Sequence, residues 1–371
     1  FLKTITMKTV TTIKTVLFAF VMNFTLLAQA QLETIATFPE SRPGNITVSN
    51  DGRIFVTMSA LSASKYMVKE ILPNGEAIPF GDKEWIVKPE NGSIKGINST
   101  IGIQADANGI LWVLDMGNVK QNQAPKLVGF DLVSGNVTKV FPIPNTVLST
   151  KPFLQDFVID VKNNTAVIAD MTDALNPPIA PAFVVINLET GYIRRVLEGD
   201  ASFLPADEPV KIHGRLVSHK RKDGTTIQPR YPLNPISIDD KNNFIYYGAM
   251  GNTKIYRIPS AVLADESKQD SDLNKYIEFY ANKPKSDGFK VGANGKVYVT
   301  DVENSAIVES TPSGMKTIAQ SKKDLSWPDG VAIHGNYLYI VANQLHNLPL
   351  LNEGKDASKP PYLVLKMKLQ D

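Results

Sequence analysis

Short stretches of alternating apolar and polar residues recur along the chain, each interrupted by a tight turn. In residues 327–343 (WPDGVAIHGNYLYIVAN) the alternation begins after Pro328-Asp329-Gly330, turns near His334 and resumes. Five further stretches repeat this pattern, at residues 44–59, 99–117, 154–171, 233–251 and 286–301. Alternating runs joined by Asn-Gly, Asp-Gly or similar pairs are typical of β-hairpins.

Two weaker strands follow most of these hairpins, so the repeating unit has four strands. Six such units, at intervals of roughly 40 to 80 residues, predict an all-β, six-bladed β-propeller over residues 31–371 as one domain. The last unit lacks a strand, and we predict that LETIATF (32–38) supplies it and closes the ring. A pair of β-sandwiches is the alternative. Helical periodicity appears only near residues 260–273.

The N-terminal region has the pattern of a targeting segment. Residues 7–30 place Lys8 and Lys14 before an apolar run from Val16 to Leu27 and end on Ala28-Gln29-Ala30. A basic start, a short apolar stretch and a small-residue ending are typical of a secretory signal peptide. The run is short for a membrane anchor. We therefore predict removal of residues 1–30, a secreted or periplasmic protein, and no membrane association after cleavage.

Composition narrows the function classes. With 39 basic and 37 acidic residues the net charge is +2, which gives no reason to expect nucleic acid or an anionic membrane as partner. The chain has no cysteine, so disulfides, a thiolate nucleophile and a cysteine-ligated zinc site are excluded. Lipase-type serine, P-loop and dinucleotide-binding motifs are lacking. A small-molecule ligand is the expected partner, and the oligomeric state stays open.

Asp or Asn stands before the first strand of most units, where a bare hairpin needs no acidic residue. In a propeller this strand lines the central channel, and its leading residue lies at the channel mouth. Carboxylate and amide oxygens there suit Ca²⁺ or a similar divalent ion, whereas Asp and Asn also simply cap turns. The six residues predicted to form this ring are Asn45, Thr100, Asp156, Asn234, Asp287 and Asp329.

Individual roles follow from this placement. Asn234 and Asp287 are the metal-ligand candidates, and Asp156 or Asp329 could serve as a catalytic base. The substrate-binding candidates are Asn45, Thr100, Phe157, Trp327 and His346. The long insertion at 198–232 is either a lid over the mouth or a solvated loop. Turn residues such as Asp51 lie at the far end of the inner strand and are expected to be structural.

Several stretches resemble a known family. They include GIQADANGILWVLDMG (102–117), APKLVGFDLVSGNVTKVFPIP (124–144) and WPDGVAIHGNYLYIVANQLHN (327–347). Together with the other hairpins they span nearly all of the predicted mature chain. The chain resembles the Yellow / major royal jelly protein family, six-bladed propellers related in architecture to the SMP-30/gluconolactonase proteins.

This resemblance implies two kinds of site. SMP-30-like enzymes bind a divalent metal through a Glu of the first blade and an Asn and an Asp of the fourth and fifth; Asn234 and Asp287 match the last two by blade. Asp156 falls where those enzymes place an Asn near the substrate, whereas the Glu has no match, since Asn45 holds that position. The implied function is a metal-dependent lactone hydrolase. Alternatives are a metal-free Yellow-type ligand-binding protein or dopachrome tautomerase, and an interaction propeller without catalysis.

Overall fold

The architecture consists of six four-stranded antiparallel sheets, numbered here as blades one to six. The computed structural model describes residues 31–59, 61–90, 93–118, 121, 123–175 and 179–370. The predicted signal peptide, residues 1–30, lies outside the described residues. No helix within the described ranges is long and apolar enough to cross a membrane. The all-β propeller prediction is confirmed, and the sandwich alternative is wrong.

Each blade begins at the central axis and ends at the outer edge. Blade one contains Pro43–Val48, Ile54–Met58, Val68–Ile71 and Ala77–Pro79. Blade two contains Thr100–Ala105, Ile110–Asp115, Lys126–Asp131 and Val137–Pro142. Blade three contains Leu154–Asp160, Thr165–Asp170, Ala182–Asn187 and Ile193–Val196.

The remaining blades follow the same plan. Blade four contains Leu233–Ile238, Phe244–Ala249, Lys254–Pro259 and Glu278–Asn282. Blade five contains Phe289–Val291, Val297–Asp301, Ala306–Thr311 and Gly314–Gln320. Blade six contains Pro328–His334, Tyr337–Ala342, Tyr362–Lys368 and Leu32–Phe38. The helical pattern near 260–273 corresponds to two short helices, Ser260–Ala264 and Asp270–Leu273.

The strand Leu32–Phe38 closes the ring, as predicted. It pairs antiparallel with Tyr362–Lys368, so the first and last described strands share one sheet. Ala36 and Phe38 are buried in a cluster that also contains Val341 and Val364. This pairing covers the edge of Tyr362–Lys368, which would otherwise be unpaired.

Apolar side chains fill the spaces between neighbouring blades. Trp112 and Leu114 of blade two pack against Phe157 and Ile168 of blade three in one buried cluster. Some strands near the axis are buried along their whole length, among them Thr165–Asp170 and Leu233–Ile238. Strands buried on both faces suit the stacked arrangement of blades, where each sheet packs against two others.

The insertion at 198–232 is an ordered cap. It forms two small hairpins, Lys211–Ile212 with Arg215–Leu216 and His219–Lys220 with Thr226–Ile227. Ser218 N–H donates to the Leu351 carbonyl at 3.2 Å and the Ser218 carbonyl accepts from Glu353 at 3.0 Å. The insertion is therefore hydrogen-bonded to the loop that connects the second and third strands of blade six. Whether it acts as a lid or as a solvated loop stays a prediction.

Candidate ligand site at the channel mouth

Equivalent positions in the six blades follow from one recurring backbone hydrogen bond. In every blade, the N–H that follows the second strand donates to the carbonyl of the residue that leads into the inner strand. These six acceptors are Arg42, Ser99, Phe153, Pro232, Lys285 and Trp327. We call the residues two positions after these acceptors the mouth ring. They are Gly44, Ile101, Gln155, Asn234, Asp287 and Asp329.

The next residue of each blade forms a second ring, one layer deeper along the axis. This deep ring contains Asn45, Gly102, Asp156, Pro235, Gly288 and Gly330. Both layers reach the channel because the pairing of the inner strand is irregular at this point, for example between Thr100 and Ile103. An irregular residue interrupts the alternation of side chains between the two faces of a strand.

This geometry corrects the predicted single ring. Asn234, Asp287 and Asp329 lie in the mouth ring, whereas Asn45 and Asp156 lie in the deep ring. The assignment of Thr100 is wrong: it is fully buried and pairs with Asp115 of the second strand. Ile101 occupies the mouth-ring position of blade two, because the inner strand pairs irregularly between Thr100 and Ile103.

Glycine in the deep ring gives space to the polar side chains opposite. A Cβ on Gly330 would lie 1.9 Å from Asn45 Oδ1, and one on Gly102 would lie 2.8 Å from the Phe157 ring. With those glycines, Asn45 Nδ2 reaches Asp156 Oδ2 at 3.1 Å. The repeated Asp-Gly pairs at 287–288 and 329–330 therefore combine an acidic mouth-ring residue with a deep-ring residue that has no side chain.

Two cavities meet at the mouth ring. The mouth pocket, about 130 Å³, has mostly apolar walls that include Phe153, Met171, Tyr231, Met250, Trp327, Leu345, Leu350 and Leu351. Below it lies the axial cavity, about 220 Å³, which contains the side chains of Asn45, Asp156, Phe157, Asp287, Lys290 and Asp329. Ile101, Gln155, Asn234 and Asp287 line both cavities and separate the apolar pocket from the polar one.

Protein donors hold the three carboxyl groups in place. Asn234 Nδ2 donates to Asp287 Oδ1 and Trp327 Nε1 to Asp287 Oδ2, both at 2.6 Å. Asn343 Nδ2 donates to Asp329 Oδ2, also at 2.6 Å. The two metal-ligand candidates, Asn234 and Asp287, are therefore hydrogen-bonded to each other.

The environment favours the neutral forms of these acids. Burial raises the pKa of Asp156 to about 7, partly opposed by the Phe157 N–H, which donates to its carboxylate at 2.9 Å. Burial also raises the pKa of Asp287 to about 6, against the hydrogen bonds from Trp327 and Asn234. The pKa of Asp329 lies well above its usual value, first because of burial and then because of the nearby Asp287 charge.

Polar atoms without a protein partner gather around the mouth. Within the described residues, the buried side-chain atoms that lack a hydrogen bond include the Tyr231 hydroxyl, Ser286 Oγ, Asn343 Oδ1 and His346 Nδ1. Trp327 and Thr172, which line the pocket, also have positive φ angles, 55° and 57°. Unpaired buried polar groups and unfavourable backbone conformations both cost free energy and concentrate at functional sites.

His346 does not reach the ligand space. Its ring stacks on Trp327, with 5.8 Å between ring centroids and 9° between planes, and it lies outside the lining of both cavities. Burial lowers its pKa to about 4, so the imidazole is neutral. It supports the outer face of Trp327, whereas Phe157 and Trp327 themselves line the axial cavity and the mouth pocket respectively.

The donor set does not fit a divalent cation. Both oxygens of Asp287 already accept hydrogen bonds, and Asn234 turns its amide nitrogen, not its oxygen, toward Asp287. Across the described ranges, no group of three or more His, Asp or Glu side chains gathers at metal-binding spacing. Binding of a divalent ion by Asn234 and Asp287 stays a prediction, and no step below uses it.

Several site residues were missed from the sequence. Tyr231 lies in the insertion just before the inner strand of blade four, and Asn343 follows the second strand of blade six. Neither position carries a local pattern that indicates the axis. Gln155 and Lys290 lie in the predicted inner strands, and both line the axial cavity.

Comparison with known proteins now places the chain. A profile described as major royal jelly protein matches residues 98–370. The chain belongs to this family. The resemblance seen in the sequence is thereby confirmed for most of the propeller, from the end of blade one to the C-terminal strand. No curated protein sequence matches the chain significantly.

Solved structures of other propellers share the fold with this family member. A streptogramin B lyase is 14% identical, with 93% of this chain and 99% of that chain covered and a TM-score of 0.52. A gluconolactonase from Xanthomonas campestris is 11% identical, with 93% and 91% covered and a TM-score of 0.54. A calcium-binding regucalcin from Agrobacterium tumefaciens is 11% identical, with 92% and 96% covered and a TM-score of 0.54. At these identities the similarity shows the fold alone.

Proposed function

We propose that this royal jelly family member binds a small organic cation, an apolar or aromatic body with an ammonium head, in the mouth pocket. We place this function outside the cytoplasm, because residues 7–30 have the pattern of a signal peptide. The proposal rests on the lining of this pocket, where mostly apolar side chains surround the carboxylate of Asp287. The Tyr231 hydroxyl, which also lines the pocket, has no hydrogen-bond partner in the protein.

The walls supply the affinity for the body of the ligand. Phe153, Tyr231 and Trp327 contribute ring surface, and the loop between the second and third strands of blade six adds Leu350 and Leu351. Apolar area removed from water contributes about 25 cal/mol per Å². An aromatic ring that stacks or packs edge-on against these side chains gains further stabilisation of about 1 kcal/mol per ring pair.

The floor supplies the preference for positive charge. Asp287 is ionised above a pKa of about 6, and among the described residues no basic side chain forms an ion pair with it. A ligand ammonium there would compensate the buried negative charge, which protein hydrogen bonds alone compensate only in part. The Trp327 ring beside the carboxylate also favours a cation over its face.

Other activities remain predictions. A lactone hydrolase would need a divalent ion, and across the described ranges no group of three or more His, Asp or Glu side chains gathers at metal-binding spacing. The propellers of similar fold are too distant to carry over their chemistry. Dopachrome-type tautomerisation and a purely protein-binding role are also untested. The geometry favours ligand binding among these, since the mostly apolar pocket has the buried carboxylate of Asp287 at its floor.

The test uses three probes that share one body and differ in charge: tryptamine, indole and indole-3-acetate. Calorimetry should show tryptamine binding at least about tenfold tighter than indole, a difference of about 1.4 kcal/mol, and indole-3-acetate weakest. The variant Asp287→Asn should remove this preference for tryptamine. Asp51→Ala, at a hairpin turn on the opposite end, should leave it intact. Equal binding of all three probes by the wild type, or no binding, would contradict the proposal.

Calcium provides an independent arm of the same test. If millimolar CaCl₂ raises the melting temperature of the wild type and Asp287→Asn abolishes the rise, the metal-dependent hypothesis is favoured instead. If CaCl₂ leaves the melting temperature of the chelator-treated protein unchanged while tryptamine raises it, the metal-free binding function is supported. Ligands that bind only the folded state stabilise it by mass action, so both arms have the same readout.

A further inference from the structure

The axial cavity contains one basic side chain among several acids. Lys290 belongs to the inner strand of blade five, three residues after Asp287, and is half-buried. It lines the cavity together with Asp156, Asp287 and Asp329. Sequence reasoning assigned no role to this lysine, and the proposed binding of a ligand in the mouth pocket does not use it.

Lys290 also marks the lower end of the cavity. A pocket of about 350 Å³ opens on the opposite face of the propeller, lined among others by His334, Asn336 and Tyr298. Lys290, Asp240 and Ile333 line both this opening and the axial cavity. Lys290 therefore lies where the axial cavity, with its buried acids, meets the opening on the other face.

The charges along the axis act on this lysine from both sides. Burial lowers the pKa of Lys290, and the negative charges of Asp156 and then Asp240 oppose that change. In return, the Lys290 charge lowers the pKa of Asp156 against the effect of burial. The charge of Asp287 raises the pKa of Asp156 and of Asp329, and the charge of Asp156 raises that of Asp329, so without a cation these acids repel one another.

We propose that Lys290 is the resident counter-cation of the axial cavity, a covalently attached charge that lets Asp156 and its acidic neighbours persist there without a bound metal ion. Like charges confined in a poorly solvated space need either protons or a cation. Lys290 projects from the inner strand of blade five and supplies that cation at no cost in translational entropy.

The experiment measures thermal midpoints at pH 8 after treatment with a chelator, with and without 5 mM CaCl₂. Lys290→Met keeps the length of the side chain and removes the charge. It should lower the midpoint by roughly 5 °C, because an uncompensated buried charge costs several kcal/mol. CaCl₂ should restore part of this loss in Lys290→Met and leave the wild type unchanged. Lys316→Met, an exposed position on the outer strand of the same blade, changes the net charge equally and should show neither effect.

A second pair of variants keeps the test decisive if Lys290→Met folds poorly. Lys290→Arg retains the charge and should stay within about 2 °C of the wild type. The double variant Lys290→Met/Asp156→Asn removes both charges and should recover most of the loss, as coupled residues do in a double-mutant cycle. A wild-type midpoint that rises saturably with CaCl₂ would overturn the proposal. So would a Lys290→Met midpoint equal to that of the wild type, or a double variant no more stable than Lys290→Met.

Discussion

The indole of Trp327 holds the carboxylate of Asp287, with 2.6 Å between Nε1 and Oδ2. The residue leading into blade six thereby orients the acidic residue of blade five across the blade boundary. Trp327 does so with a φ of 55°, in the left-handed region that costs a bulky residue free energy. The contact joins the wall of the mouth pocket to its floor.

Replacing this indole tests its importance for the pocket. Trp327→Phe leaves Asp287 Oδ2 without its donor and should lower the free energy of unfolding by about 1–3 kcal/mol, measured by urea denaturation. Trp112→Phe is the matched control, because Trp112 Nε1 donates to Asp106 at 2.7 Å in a hairpin far from the mouth. Both variants should lose stability, but only Trp327→Phe should weaken tryptamine binding. Equal effects of the two on binding would contradict the assigned role.

The Tyr231 hydroxyl offers a test with opposite signs in stability and binding. The hydroxyl is buried and has no hydrogen-bond partner in the protein. Tyr231→Phe should therefore leave the free energy of unfolding unchanged or raise it by up to about 1 kcal/mol. The same variant should bind less tightly those ligands that form a hydrogen bond with this hydroxyl. Tyr247→Phe is the control: its hydroxyl bonds Ser202 Oγ at 3.0 Å, so its loss should destabilise by about 1 kcal/mol. A clearly destabilised Tyr231→Phe protein would show that the hydroxyl has a structural role.

The buried acids of the axial cavity make the free energy of unfolding depend on pH. The folded state raises the pKa of Asp156 to about 7, above the value near 4 of an unfolded chain. Its contribution to stability is therefore complete below about pH 4 and is lost as the pH rises through 7. Between pH 5 and pH 8 the wild type should lose roughly 2 kcal/mol more than Asp156→Asn, measured by urea denaturation at each pH. Parallel pH profiles of the two proteins would contradict this prediction.

Ring closure depends on the first described strand. Phe38 is buried between blades six and one, so Phe38→Ala should cost about 3–5 kcal/mol. Deleting residues 32–38 should expose the edge of Tyr362–Lys368 and cause aggregation, detectable by light scattering. Glu33→Ala, at an exposed position of the same strand, should have little effect on either readout. An undiminished thermal midpoint after the deletion would show that the strand is dispensable.

The sequence by itself determined the blades. Each hairpin is specified by neighbouring residues: alternating side chains form the two strands, and residues such as Gly109, with a φ of 81°, permit the turn between them. Six such units in order leave little choice but a closed ring. Even the closing strand was predictable, because the last unit lacked one strand and Leu32–Phe38 had no other partner.

Only the tertiary structure decided which side chains meet at the axis. The inner strands pair irregularly where they enter the sheet, for example between Leu154 and Asp156, and one such residue changes which side chains face the channel. Thr100 was misplaced for this reason. Tyr231, Lys290 and Asn343 became site residues only because the ring brings segments far apart in sequence within reach of Asp287 and Asp329. Their pKa values, contacts and unsatisfied atoms depend on burial, which local sequence patterns do not specify.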